Sequence, residues 1–361
     1  MKALYKALNI FLGVQMLFFV SLHGQDGQEI KNPWSGLYYK TFAQDESETH
    51  KDKLQIFFAK DDLPLFNQLI FSWNAERPDK GYFSFWVQVH DAKNNQWSTW
   101  HRMSDWGAGV QRSYLSKSDG IAYNNFVSLT MSSNLLGDAF RVKAVVHDGA
   151  SLALLKACAV SLSHESNFKS EVFDAQLASL PSIYIRNVPT ISQFALVHPR
   201  NNAICSPTSC TMLTSFLSGK TVNPIHFAQN SFDAGLGVHG SWPFNMAHAY
   251  EICDGLYWFF TTRLNSFVGL HQRLKQGFPV VVSVRGPLEG AAAPYQSGHL
   301  LTVVGWDAKK QEVIVHDPAF KTDRETVHRY PLNSFLQAWE KSRRLTYLVE
   351  ENQLKNERKE S

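Results

Sequence analysis

Cys205, His299, Asp317 and Gln193 are the side chains of this 361-residue chain whose types, taken together, can carry out acyl transfer. Cys205 lies in ICSPTSC, where a turn passes into a helix, and Pro207 suits the first helical turn because its missing N–H costs nothing there. A thiol so placed feels the positive end of the helix dipole and the free N–H groups, both of which stabilise thiolate. His299 follows Gly298 at the start of HLLTVVGWD; a strand anchors its backbone while the ring can turn sideways into a cleft. Asp317 ends the next apolar run, in VHDPAF. A short connection near Asp307 to Gln311 predicts a hairpin that brings Asp317 beside His299, where the carboxylate can fix the ring tautomer and stabilise imidazolium. Nucleophile, base and orienter are then in place. Gln193, in VPTISQF, can supply an amide N–H that joins the backbone N–H of Cys205 in an oxyanion hole. Singly, each has a plainer reading: a structural cysteine, a structural histidine, an Asp-Pro turn, a surface amide. Only the set predicts a site.

The elements that must position these residues divide the chain in two. From about Trp34 to Ser163 the pattern is strand-like, with period-two alternation in YFSFWVQVH (Tyr82 to His90). Further strands are expected at Leu54 to Phe58, Asn67 to Trp73, Asn124 to Met131, Ala139 to His147 and Leu152 to Ser163, separated by turn signals such as Asp91 to Asn95. WSTWHRMSDWG is expected to be a tight loop. Short strands with no helix between them predict an antiparallel sandwich of jelly-roll type over 30–164. Six of the 10 tryptophans fall here: Trp34, Trp73, Trp86, Trp97, Trp100 and Trp106. Exposed, they could stack on sugar rings and give glycan or cell-surface contact; core and turn packing is the favoured reading. A polar linker is expected at 165–180. After it the texture is α+β over 181–350. Helices are expected from Cys205 to Gly219, Phe244 to Cys253 and Ser266 to Gln276, then strands PVVVSV, HLLTVVGW and EVIVHDP, a helix over Asn333 to Lys341 and a strand TYLVE. The tail over 351–361 is expected to fray.

Six pieces of the second half, in order, are VPTISQ, CSPTSCTM, GSWPFNMAHAYE, GFPVVVSV, SGHLLTVVGWD and VHDPAF. With them Ile183 to Val349 resembles papain-like cysteine peptidases of the bacteriocin-leader-peptidase type, family thirty-nine of the cysteine peptidases, in a stand-alone secreted form. The resemblance implies a papain-like fold for the α+β domain. It also implies Cys205 as nucleophile, His299 as general base and acid, Asp317 as orienter and Gln193 as oxyanion donor. Ser206, Trp242 and Gly298 are expected near the cleft. The family usually has glycine after the nucleophile, and Ser206 departs from that; a positive φ there would strain a serine. The ATP-binding and membrane domains of exporter-fused members have no counterpart, and no phosphate loop is present.

Composition narrows the rest. The chain is 44% hydrophobic and 19% charged, a globular balance that excludes a disordered chain. A net charge of +3 without a basic run gives no sign of nucleic-acid binding. Four cysteines are too few for a disulfide scaffold. Cys210 points to another helix face than Cys205; it could pair with Cys253 in an oxidising compartment, but free buried thiols are expected. His239 and His248 lack a third convergent ligand, so no metal and no other cofactor is expected. Lys2 and Lys6 before the apolar run Ile10 to Leu22 read as a signal peptide over 1–24, with no further membrane span and a secreted or periplasmic destination. The expected partner is a peptide or protein substrate. Two rivals stand beside a peptidase: an amidase or transpeptidase on cell-wall or isopeptide bonds, and an inert secreted binder of glycans or surfaces.

Overall fold

Alternation decides the first half. In Tyr82–Asp91 the side chains of Phe83, Phe85, Val87 and Val89 are buried, while Tyr82, Trp86, Gln88 and His90 reach the outer face. The structure, a computed structural model, describes residues 17–19, 34–42, 55–172 and 174–353. Most of the expected signal segment, and 354–361 of the tail, lie outside the described residues. One antiparallel sheet runs β1 (Leu17–Phe19), β2 (Ser35–Thr41), β12 (Leu155–Ser163), β4 (Gln68–Ala75), β10 (Ser128–Met131), β9 (Ala122–Asn125). The other runs β3 (Gln55–Lys60), β11 (Gly137–His147), β5 (Tyr82–Asp91), β7 (His101–Gly107), β8 (Gln111–Ser113), with β6 (Gln96–Trp97) on β5. Their inner faces share one core, where Trp73 stacks on Phe85 at 4.4 Å and Phe140 meets Phe58 edge-on.

Three expectations are corrected here. Asn124 to Met131 is a hairpin, not one strand: the chain reverses at Phe126, whose φ of 55° suits a tight turn, and Asn125 pairs with Ser128. WSTWHRMSDWG is not a loop but carries the end of β6 and all of β7. Leu152–Leu154 is a 3-10 turn capped by the Ser151 hydroxyl, and the strand starts at Leu155.

The second half is built on one antiparallel sheet. Its order is β14 (Tyr257–Arg263), β19 (Leu345–Glu351), β15 (Val280–Val284), β16 (His299–Asp307), β17 (Glu312–His316), β18 (Val327–Pro331), with β13 (Ile183–Tyr184) paired to β16. Helices α1 (Ala175–Ser179), α2 (Cys205–Ser218), α3 (Pro224–Asn230), α4 (Trp242–Ile252), α5 (Phe267–Lys275) and α6 (Leu332–Lys341) surround it. None of the described helices is long and apolar enough to cross a membrane. Helix α2 ends on Gly219, whose φ of 67° makes the left-handed cap that a side chain would resist.

The two halves are joined by more than a linker. Asn74 donates Nδ2–H to Phe259 O (2.9 Å) and accepts Phe259 N–H (2.8 Å), and Ser35 Oγ donates to Arg263 O (2.7 Å). Phe244 of α4 sits edge-on to Trp73 of the first core. The stretch expected as a polar linker is itself docked: the Glu171 carboxylate accepts the Phe267 N–H at the start of α5, and Phe168 lies under Arg343 and Arg344. At the other end Asn352, in the expected tail, is buried and donates to Gly255 O (2.8 Å).

Candidate active site

Helix α2 is buried on every side from Ser206 to Ser215, which its sequence achieves with hydroxyls rather than an apolar stripe. Thr208, Thr211 and Thr214 donate to the carbonyls of Ile204, Pro207 and Cys210, so each buried oxygen is satisfied within the helix. Ser209 ties the helix to β16, donating Oγ–H to Leu300 O (3.0 Å), and Thr302 Oγ1 donates back to Ser209 O (3.3 Å). These two bonds set the height of Cys205 against His299. No side chain caps the helix start at Ile204, so the first-turn N–H groups remain to face the half-buried Cys205.

The hairpin between β16 and β17 places the other two groups. Thr302 pairs with His316, and the next residue, Asp317, swings under His299. His299 Nε2 meets Asp317 Oδ1 at 2.7 Å, while the thiol of Cys205 hydrogen-bonds to the same imidazole. With Nε2 held by the carboxylate, Nδ1 is the nitrogen left for sulfur. Asp317 is fully buried and accepts four bonds: from His299, from Ala319 N–H (2.9 Å), and from the hydroxyls of Tyr295 (2.8 Å) and Tyr330 (2.7 Å). Tyr295 also lies flat on the His299 ring, at 4.1 Å and 17°.

The electrostatics follow from these contacts. Burial pushes the Cys205 thiol up, but the hydrogen bond and charge of His299, with the N–H groups of Leu300 and Ser206, outweigh it and hold the thiol below its ordinary value. Burial pulls His299 down, yet the charge and bond of Asp317, then those of Cys205, raise it to about 10. Burial alone would raise Asp317; its bonds, led by His299, keep it depressed. Burial and the Asp317 charge push both tyrosines upward, so they stay donors. Each of the three shifts favours the charged form, thiolate, imidazolium and carboxylate in a row.

Gln193 is 2% exposed and bridges two loops of the site. Its backbone N–H donates to Pro318 O (2.9 Å), beside Asp317, and its Nε2 donates to Asn201 O (2.8 Å), just ahead of Cys205. An amide nitrogen carries two hydrogens, so a second donor remains. Gly298 has φ 92°, a conformation that leads a glycine into the strand of His299, with Arg285 alongside. Ser206, expected at the cleft, is instead turned into the core: its hydroxyl meets the Tyr347 hydroxyl at 2.8 Å. Its backbone is helical rather than left-handed, so a serine there carries no strain. Trp242 opens α4 and packs edge-on to Phe126 of the first half at 5.4 Å.

The remaining polar groups have other partners. His239 Nδ1 donates to Ala228 O, and His248 pairs with Glu251. Among the described residues no cluster of three His, Cys, Asp or Glu is placed to hold a metal ion. All four cysteines are free, with Cys158, Cys210 and Cys253 buried. Tyr295 and Tyr330 were missed by sequence reasoning. The first had a signal, a lone aromatic in the breaker-rich loop GAAAPYQSG just before His299; the second reads only as an inward strand position.

A thiol on a helix start, bonded to an imidazole that a buried carboxylate holds, is an arrangement chemically able to carry out nucleophilic acyl transfer. Residues 185–347 match the Peptidase_C39 like family, which supports a cysteine peptidase domain of that type in the second half. No curated protein and no solved structure matched the chain.

Proposed function

We propose that the chain is an exported cysteine peptidase whose papain-like domain cleaves peptide bonds and whose first half is a jelly-roll sandwich. The observation that carries the chemistry is the unbroken line from Cys205 to His299 to Asp317. Cys205 thiolate attacks an amide carbonyl, and a C–S bond forms as the carbonyl electrons move to oxygen. The backbone N–H of Cys205 and the second Nε2–H of Gln193 hold that oxyanion. His299 gives its Nδ1 proton to the leaving amine, the C–N bond breaks, and a thioester remains. Water, deprotonated by His299, then hydrolyses it. Asp317 keeps the ring oriented throughout and stabilises it whenever it carries the second proton.

The sandwich reading rests on strand order. Strands β2-β12-β4-β10 lie in one sheet and β3-β11-β5-β7 in the other, so along this set of eight the chain changes sheet at every step except β5 to β7, as in a jelly roll of two Greek keys. Export rests on the N-terminal segment alone.

The test is labelling with a cysteine-directed covalent probe and mapping of the modified residue. Cys205 should react fastest, His299→Ala should slow it, and Cys205→Ala should abolish hydrolysis of a peptide substrate. Turnover by the Cys205→Ala protein at the parent rate would rule out the mechanism.

A further inference from the structure

The outer face of the second sheet carries a row that strand register alone assembles. Phe57 of β3 lies opposite Lys143 of β11, Lys143 opposite Trp86 of β5, and Trp86 opposite Arg102 of β7. The row crosses three strand-to-strand steps, about 14 Å. Trp100 and Trp97, from the segment after β5, stand over it: Lys143 Nζ lies 4.5 Å from the Trp100 ring and Arg141 3.8 Å from Trp97. Arg102 lies 5.4 Å from the Trp86 ring. The favoured expectation from the sequence is core and turn packing for the tryptophans. That holds for Trp34, Trp73 and Trp106, which are buried, but Trp86, Trp97 and Trp100 are part-exposed on this face. Phe57 is 48% exposed.

Position and charge both bear on the role of this face. The outer face of the other sheet is covered by the second half through Asn74, Ser161 and Ser35. An outer face that only met water would carry scattered charges and hydroxyls; this one carries large rings with cations between them. The cations are in excess. Asp105 is buried and already holds Arg102, Ser84 and Tyr114, and Asp138 holds His90. Among the described residues no acid pairs with Lys143 or Arg141.

We propose that this face binds an anionic polysaccharide. Ring faces and edges of Trp86, Trp100 and Phe57 pack on the C–H surfaces of successive sugars, while Lys143 and Arg141 pair with carboxylates or phosphates on the chain. The inference does not depend on the peptidase reading, since no residue of the row belongs to the Cys205 site.

The full chain is run in affinity gel electrophoresis against three probes: polygalacturonate, poly(glycerol phosphate) and neutral hydroxyethylcellulose. Retardation by polygalacturonate, weakening as salt rises and exceeding that by poly(glycerol phosphate), which carries charge without sugar rings, is the expected result. The double variant Arg141→Gln, Lys143→Gln should lose at least about tenfold in affinity, the effect of removing two charge-assisted contacts. Its melting temperature and its Cys205 labelling should not change. Arg141→Gln alone, on an exposed guanidinium, serves if the double variant melts early. Equal retardation by the neutral polymer or by poly(glycerol phosphate), no retardation by polygalacturonate, or unchanged affinity in the charge variants overturns the proposal. Binding to vesicles of anionic lipid without binding to either anionic polymer overturns it as well.

Discussion

Replacing Asp317 by asparagine keeps the shape of the site and removes one charge, so its effect can be worked out. His299 Nε2 stands 2.7 Å from the carboxylate oxygen. With charge centres about 4 Å apart and an effective dielectric of about 20, the attraction is worth about 4 kcal/mol, or about three pKa units. His299, raised to about 10, should therefore fall to about 7 in Asp317→Asn, with burial opposed only by Cys205. The thiolate loses part of its imidazolium partner at the same time. The assay is iodoacetamide alkylation of Cys205 across roughly pH 5 to 11, alongside kcat/KM on a fluorogenic peptide. Alkylation should already proceed below the ordinary thiol range because Cys205 is depressed, and kcat/KM of the parent should hold a plateau up to an alkaline limb at about 10, where His299 loses the proton it gives the leaving amine. In Asp317→Asn the alkaline limb should move down by about three units. The same shift bears on stability. A raised histidine contributes fully below its unfolded value of about 6.5 and loses that contribution as pH climbs through its folded value. The gap in unfolding free energy between parent and variant should thus be wide near neutrality and narrow above about pH 10. A variant whose alkaline limb stays where the parent's lies would refute the claim that Asp317 makes His299 basic.

Tyr295→Phe keeps the ring on His299 and deletes the bond to Asp317, so kcat/KM should fall by about tenfold to a hundredfold, as for a lost bond to a charged group, with a shifted pH profile; Tyr295→Ala should fall further. Ser206→Gly restores the residue usual in the family and should bring no gain in turnover. It removes the Tyr347 contact and a helical residue, lowering stability in urea by about 1–2 kcal/mol. Asn74→Ala leaves the N–H and C=O of Phe259 buried without their partner, which should cost about 2–4 kcal/mol in the same measurement while Cys205 labelling persists in the folded fraction.

The site was legible to the extent that local pattern and chemistry coincide. Cys205 announces a helix start, and the runs around His299 and Asp317 announce a hairpin; the structure has both elements with the expected connection. What the sequence hides is direction. Ser206 looks like a cleft residue because it follows the thiol, but a helix turns about 100° per residue and carries it toward Tyr347. Helix α2 looks amphipathic through Met212, Leu213, Phe216 and Leu217, yet its threonines are as buried as Leu213 because they bond to their own helix. Helix α3 was missed although Asn223 caps it and Pro224 starts it; seven residues are too few to show a period. The tryptophans of the first half could not be sorted from composition. Trp86 and Phe85 are neighbours with opposite fates, and only the face of β5 that meets the core tells them apart.

The bonds that Asn74 makes with Phe259 have a meaning beyond holding two halves together. Among the described residues strand β14 is the outermost of its sheet, with β19 on one side and no strand on the other. Its unpaired flank is where Asn74 supplies a donor and an acceptor, and Ser72 Oγ reaches Thr261 N–H at 3.4 Å. An open flank of that kind recruits strands from other chains, and proteins commonly blunt it with charge, proline or a bulge. Here TTR at the end of YWFFTTR carries one charge, and the aromatic body of the strand carries none. The first half takes over that duty, closing the sheet with two side chains of β4. It is therefore a guard against misassembly, and the second half on its own would present a sticky border to its copies.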